Sequence, residues 1–463
     1  MSYKRLGDLV KVKGGKRLPK GSKLQTTGNS HPYIRVRDMG ERYIPRVGLE
    51  FVPDEVFPKI SRYIVNTNDL IISIVGTIGL VSIIDAYFDG ASQTENCAKL
   101  TGLDAVDVNF LYYYLNSEKG KQEIREGTVG AVQAKLPLYN IEKIEVYWPD
   151  RKEREHVVQI LSAIDDKSEV NTQTNQTLEQ IAQAIFKSWF VDFEPVKAKM
   201  AVLEAGGTAE QAELAAMSAI SAKDEAALKQ LQAEQPDAYA ELEQTAALFP
   251  SAMEESELGE IPAGWDLSYL KSCTTELRRG ISPKYTEEGG VRVINQKCIR
   301  NHTVDFTLAR RNDPSKRKIE GREIEVGDVL VNSTGVGTLG RLAPVRYLDE
   351  TTVVDSHVTV VRADPGKISK SFLSGLMIVN ESFIEASGAG STGQTELRKQ
   401  VLEDIRFARP SPEIDSKYDL IVNHMSSQIA ELEKQRSTLA STRDSLLPKL
   451  LSGDLPITNT EVA

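Results

Sequence analysis

The sequence is written twice, at an offset of about 260 positions, and any fold it adopts must accommodate the same unit two times. "DLIISIVGTIG" (Asp69 to Gly79) aligns with "DVLVNSTGVGTLG" (Asp328 to Gly340), each an apolar strand-like run ending in a G-T-x-G turn. "FLYYYLNS" (Phe110 to Ser117) matches "FLSGLMIVNES" (Phe372 to Ser382), a short amphipathic helix in both. "GTVGAVQAKLPLYNIEKIEVYWP" (Gly127 to Pro149) matches "GSTGQTELRKQVLEDIRFARP" (Gly390 to Pro410): a glycine-rich loop, a polar stretch and a short strand closed by proline. The elements come in the same order in both halves.

A long helical pattern follows each closing proline. In the first, Val157, Leu161, Ile164, Leu178, Ile185 and Trp189 fall on a 4-3 alternation, interrupted at the seam by Ser168, Asn171 and Asn175. In the second, Met425, Ile429, Leu432, Leu439, Leu446 and Leu450 do the same, with Arg436 and Arg443 between them. Such a helix from about 157 to 189 is roughly 50 Å long. Neither stripe stays dry alone, so the two helices are expected to pair, with Asn171 and Asn175 fixing their register. Between the halves, the Ala-, Glu- and Gln-rich stretch after Lys199 reads as a polar helical connector rather than a core.

A net charge of −10 argues against a nucleic-acid partner only if the charge is evenly spread, and it is not. Residues 1 to 50 carry twelve Lys/Arg against four Asp/Glu, and residues 278 to 318 carry eleven against four, while 195 to 260 holds thirteen acidic and four basic residues. On "IRVRD", strand alternation is expected to turn Arg35 and Arg37 to one face and Ile34 and Val36 to the other.

The stretch "LVNSTGVGTLGR" contains G-x-G-x-x-G at Gly335, Gly337 and Gly340, with Asp355 further on, which asks whether a nucleotide or methyl donor binds there. Beside its twin, only Gly76-Thr77-x-Gly79 and Gly337-Thr338-x-Gly340 are common; Ile74 matches Gly335, which then reads as a local accident. Pro344 and the β-branched run after the loop disfavour the helix that a phosphate site requires. The shared turns serve either as tight β-turns or as backbone N–H groups brought to DNA phosphates. Gln133 and Gln394 then either stabilise their loops or reach base edges, an amide pairing bidentately with adenine.

Catalytic signatures are absent. The chain has no Pro-Pro pair for the [DNS]-P-P-[YFW] loop of adenine methyltransferases, and "KGGKRLPKG" lacks the G-K-[ST] of a phosphate loop. Asp165-Asp166 and Glu254-Glu255 read as surface charge. Cys97, Cys273 and Cys298 form no C-x-x-C pair, so neither a metal site nor a disulfide framework is expected. With no apolar run near the roughly 20 residues of a membrane span and no signal region at the start, a cytoplasmic chain with no membrane partner is expected.

This organisation resembles the specificity subunit of type I restriction-modification systems. The resemblance covers nearly the whole chain and rests on "VGTIG" and "GTLGR", "KIEVYWPDRKEREHVVQILSAID", "AIFKSWFVDFEPVKAKM", "FPSAMEESELGEIPAGW" and "SLLPKLLSGDL", taken together. It implies an α+β chain with an internal pseudo-twofold repeat: two strand-rich globular target recognition domains separated by a pair of long antiparallel coiled-coil-like helices. The expected boundaries are 1–149 for the first recognition domain, 150–194 for the first spacer helix, 195–257 for the acidic connector, 258–411 for the second recognition domain, 412–455 for the second spacer helix and 456–463 for a tail. Each domain would read one half of a bipartite duplex DNA target, and the helices would span an unread gap. The family implies two modification subunits carrying S-adenosylmethionine and two restriction subunits using ATP and magnesium, with no cofactor, metal or catalytic residue on this chain. The modification partner is expected on the helical side, at Trp189, Phe190 and Phe193 unless these are core. Where the family often carries Pro-x-x-x-Gln after each domain, this chain has "WPDRKEREH" and "RPSPEIDSKY", so no role is transferred to that turn.

Charge and loop logic give the DNA-binding candidates Lys11, Lys13, Lys16, Arg17, Lys20, Arg35, Arg37, Gly76, Thr77, Gln133 and Lys135 in the first half. In the second they are Arg278, Arg279, Arg292, Arg310, Arg311, Gly337, Thr338, Gln394 and Arg398. The helix seam comprises Leu161, Ile164, Asn171, Asn175, Leu178 and Ile185 with Met425, Ile429, Leu432, Leu439 and Leu446. The rival functions are a cofactor-dependent enzyme built on the 335–340 loop and a scaffold that binds DNA or protein without sequence preference.

Overall fold

The structure is a computed structural model that describes residues 3–130, 133–335, 337–388 and 396–452. The chain is α+β and divides into two compact units, Met1–Val170 with Gln435–Ala463, and Asn171–Lys434. The two long helices, Arg151–Phe190 and Pro412–Ser452, each contribute to both units.

In the first unit a four-stranded antiparallel sheet runs in the order Lys11–Gly14, Cys97–Thr101, Leu70–Ser73, Val81–Ile83. Leu70–Ser73 is buried at every position because both faces of its sheet are covered. Leu70 and Ile72 face the helix Ala105–Asn116, while Ile71 faces a second core with Ile34, Ile44 and Phe88. Asp104 caps that helix by accepting from the N–H groups of Val106 and Asp107. Tyr33–Ile34 pairs in parallel with Ser92–Gln93, and Tyr3–Arg5 pairs antiparallel with Glu145–Tyr147 just before the long helix begins.

The second unit repeats this topology. Its sheet runs Thr274–Arg279, Val358–Ala363, Val329–Asn332, Leu342–Pro344. Val329 and Val331 enter one core and Leu330 the other, and Val291–Ile294 runs parallel to Thr352–Val354. Asp266–Tyr269 pairs with Arg406–Arg409 before the second long helix. The duplication read from the sequence is therefore a duplication of strand order, buried alternation and parallel pairing.

Within each unit the long helices pack on each other and on the sheet domain. In the first, Val157 and Leu161 share a core with Leu450 and Leu451, and Asp165 meets Arg443 at 3.2 Å. Asp165 also accepts from the Tyr113 hydroxyl (2.9 Å), and Asp166 from Arg42 (2.9 Å), so this carboxylate pair anchors the domain to the helix instead of sitting idle in solvent. In the second unit Arg346, nearly buried, pairs with Glu179 of the first long helix and lies 3.8 Å from Glu433 of the second. Ile164, Leu178, Ile185, Met425, Leu432, Leu439 and Leu446 are half-buried, and Ile429 and Asn171 are buried, so the seam positions face inward.

Trp189 and Phe190 are buried in an aromatic cluster with Phe186, Phe249, Phe372 and Tyr418, and Phe193 packs edge-on against Trp265. They are core and offer no docking face. The first long helix stops at Phe190, short of the expected 194, and the backbone turns left-handed at Phe193 (φ 54°) before Glu194–Glu204 starts a new helix. The acidic stretch is likewise folded: the helices Glu194–Glu204, Ala209–Ser221, Glu225–Glu234 and Pro236–Leu248 enclose Ala216, Met217, Leu228 and Ala246. Buried Lys199, held by Glu213 and the Phe249 carbonyl (both 2.8 Å), ties this bundle down.

Candidate nucleic-acid interface

In the first unit the hairpin turn between Leu70–Ser73 and Val81–Ile83 places Gly76 (φ 84°) and Gly79 (φ 86°) in the left-handed region, which explains the G-T-x-G pattern. Ser73 closes the turn, its hydroxyl donating to the Thr77 carbonyl (2.6 Å) and accepting from the Leu80 N–H (2.9 Å). The following loop folds back beside it, for Leu136 N–H donates to the Ile74 carbonyl (3.0 Å) and Val75 bridges Lys135. Exposed Gly76, Thr77, Gln133 and Lys135 are thus brought to one edge. The basic segment passes the same end: Ile74 N–H donates to the Asn96 carbonyl (2.8 Å), and Arg17 pairs with Glu95 (2.5 Å). Lys11, Lys13, Lys16 and Lys20 are exposed.

Arg35 and Arg37 do not alternate on a strand. The strand ends at Ile34, and Val36–Asp38 is a single 3-10 turn. Both guanidiniums converge on Glu50, Arg37 at 2.5 Å, so their charge is matched internally. Burial pushes the neighbouring Asp38 carboxyl upward, against the pull of Arg37.

The second basic block behaves the same way. Arg278 pairs with Glu276, and Arg279 with Glu396 (2.5 Å) and the Leu397 carbonyl (3.0 Å). Arg292 meets Asp349 and Glu350 (2.6 Å to the latter), and Arg311 holds Glu350 with two bonds of 2.8 Å. Arg310 is exposed and lies over the Tyr285 ring at 3.4 Å; Arg398 is exposed. Carboxylates distant in the chain thus neutralise Arg279, Arg292 and Arg311, while Lys284, Lys297, Arg300 and Arg310 of the same block are exposed. Gln394 lies outside the described residues.

The glycine loop of the second unit joins two antiparallel strands, Val329–Asn332 and Leu342–Pro344, so among the described residues no helix N-terminus follows it. Asp355 is buried, accepts from the His357 N–H (2.9 Å), and has its carboxyl pushed up by that burial, which removes it as a ribose acceptor. The described residues of this loop do not have the geometry of a dinucleotide site.

Hydrogen bonds correct the register between the twins. Ile74 corresponds to Ser333, since Leu136 N–H and Leu397 N–H donate to those two carbonyls, and the second turn is longer by Gly335-Val336. Gly335 is no accident: at φ 109°, a Cβ there would fall on the Thr338 hydroxyl and lie 2.7 Å from Gln296 Oε1. Gln296, Thr334 and His357 meet at this turn, with Thr334 Oγ1 2.7 Å from His357 Nδ1 and 3.4 Å from Gln296 Oε1. Sequence reasoning missed this trio, whose members are far apart in the chain; the local sign was Asp355-Ser356-His357, a pattern that favours a side-chain-capped turn.

Residues 1–180 match the family model described as the type I restriction modification DNA specificity domain. The type I restriction enzyme HindI specificity subunit of Haemophilus influenzae is 29% identical over 72% of this chain and 73% of its own length. The MjaIX specificity subunit of Methanocaldococcus jannaschii is 25% identical over 42% of this chain and 44% of its own. Among solved structures, the S subunit of a type-I restriction-modification system from M. genitalium aligns over 99% of this chain and 96% of that one, at 15% identity and a TM-score of 0.48. The chain is thus similar to type I restriction-modification specificity subunits over most of its length, and its residues 1–180 match the DNA specificity domain of that family.

Proposed function

We propose that this chain is the non-catalytic, DNA-reading subunit of a type I restriction-modification complex, each unit reading one half of a bipartite duplex target. The observation that supports this is the duplicated frame: both units end the same sheet in a glycine turn, two residues longer in the second, against which a later segment pairs at Lys135-Leu136 and at Glu396-Leu397, with different side chains at each. One frame with two chemistries suits a target whose halves differ. A symmetric dimer, by contrast, reads identical halves.

The exposed cations Lys11, Lys13, Lys16, Lys20 and Arg398 would meet phosphates, as would the backbone around Gly76-Thr77 and Gly337-Thr338. Gln133 and Lys135, exposed beside the first turn, would reach a base edge or a phosphate. Partners would supply the chemistry: two modification subunits with S-adenosylmethionine for adenine methylation, and two motor-nuclease subunits with ATP and magnesium. The long helices would hold the half-sites apart, with Asn171 and Asn175 keeping register in the seam.

Mapping N6-methyladenine across a host genome, with the modification subunit present and this chain present or deleted, tests the proposal. A bipartite motif that disappears with the chain is expected. A scaffold without preference instead predicts equal affinity for unrelated duplexes at fixed salt, where specific binding exceeds it by roughly 10³-fold or more.

A further inference from the structure

We infer that Gln296, Thr334 and His357 form the base-reading element of the second unit and that the base it selects is adenine; this rests on the DNA-reading role proposed above. The three side chains are linked in one direction. The Thr334 hydroxyl donates to Gln296 Oε1 (3.4 Å), so its oxygen accepts the proton on His357 Nδ1 (2.7 Å). The tautomer that this arrangement selects, with the proton on Nδ1, carries its acceptor at Nε2 on an exposed residue, and the Gln296 amide nitrogen is left as a donor. In the major groove, adenine is the base that presents an N6 donor beside an N7 acceptor.

The trio is built, not incidental. Asp355 fixes the His357 backbone from a buried position, and Asn332 Nδ2 donates to the Gln296 carbonyl (3.1 Å) from beneath. Asn332 Oδ1 is buried without a hydrogen-bond partner among the described residues, a cost that the first unit avoids by having Ser73 at that place. Gly335, at positive φ and with no Cβ, leaves the space that Gln296 Oε1 fills. The first unit carries different residues at these places. By backbone register, Val36 stands for Gln296, Val75 for Thr334 and Asn96 for His357, so the two half-sites cannot be read by the same chemistry.

The test uses the full chain co-purified with its modification subunit and a pool of duplexes randomised across both half-sites, with the bound fraction sequenced. His357→Ala and Gln296→Ala are expected to lower the preference for adenine at one position of one half-site about tenfold or more, leaving the other half-site and non-specific affinity unchanged. Thr334→Val should behave like them and Thr334→Ser like the parent, a rescue that a folding defect does not show. Unchanged base preferences in His357→Ala, Gln296→Ala and Thr334→Val, or a loss shared equally by every sequence, would overturn the inference while the DNA-reading role stands. A parent protein with no base preference anywhere would overturn that role and the inference with it.

Discussion

At Gly335 two constraints coincide: a backbone at φ 109° and neighbours that leave no room for a Cβ. Gly337, two residues on, has only the first, with φ 75° and open space for 4 Å around the point where a Cβ would stand. Gly337→Ala should therefore cost about 1 kcal/mol, the usual left-handed penalty. Gly335→Ala should cost more, about 2–3 kcal/mol, because Gln296 and Thr338 must also move. Urea unfolding midpoints of the two variants measure the difference, and equal losses would show that Gln296 yields freely. At this scale the sequence misleads in an instructive way. Comparing the twins by eye shifts Gly335 opposite Ile74, since an insertion of two residues leaves the flanking glycines looking aligned. Arg35, Arg292 and Arg311 read as free positive charge because Glu50, Asp349 and Glu350, which neutralise them, lie outside any local window.

Elements were far more legible. The runs at Leu70–Ser73 and Val329–Asn332 are apolar at consecutive positions, the mark of a strand covered on both faces, and the 4-3 stripes report the helix seam. What no periodicity carries is how a domain is held on its helices. In the second unit that task falls to Arg346, whose guanidinium is buried against Glu179 and also donates to the His302 carbonyl (2.6 Å). Arg346→Met strands a half-buried carboxylate and is expected to destabilise this unit by about 3 kcal/mol, with Glu179→Gln in the same background recovering part of the loss. Thermal unfolding of the single and double variants gives the coupling. The helices themselves should behave as rulers. Adding four residues to each lengthens it by about 6 Å, and the unread gap in the methylated motif should grow by about one to two base pairs. An unchanged motif would mean that the helices do not set the gap.

For the molecule as a whole, the duplication and the segregation of charge were visible in the sequence, but the surface that results was not. An overall charge of −10 coexists with exposed lysines along the basic N-terminal segment of the first unit. If those lysines meet phosphates, replacing Lys11, Lys13, Lys16 and Lys20 by Gln should reduce the slope of log K against log salt by up to about 0.9 for each phosphate no longer neutralised. Replacing Arg292 and Arg311 should leave that slope unchanged and lower stability instead, since both are engaged by carboxylates. Fluorescence anisotropy over a salt series separates the two outcomes.

The first unit is closed by chain from far downstream. Leu450 and Leu451 complete the core around Val157 and Leu161, and they are synthesised only after every residue of the second unit. During translation the second unit can finish first, while the earlier-made one waits with an apolar seam uncovered, a natural substrate for holdase chaperones. Premature termination between Gln435 and Lys449 would then release a protein with one mature half and one open half. The half made first is thus the half whose core is completed last.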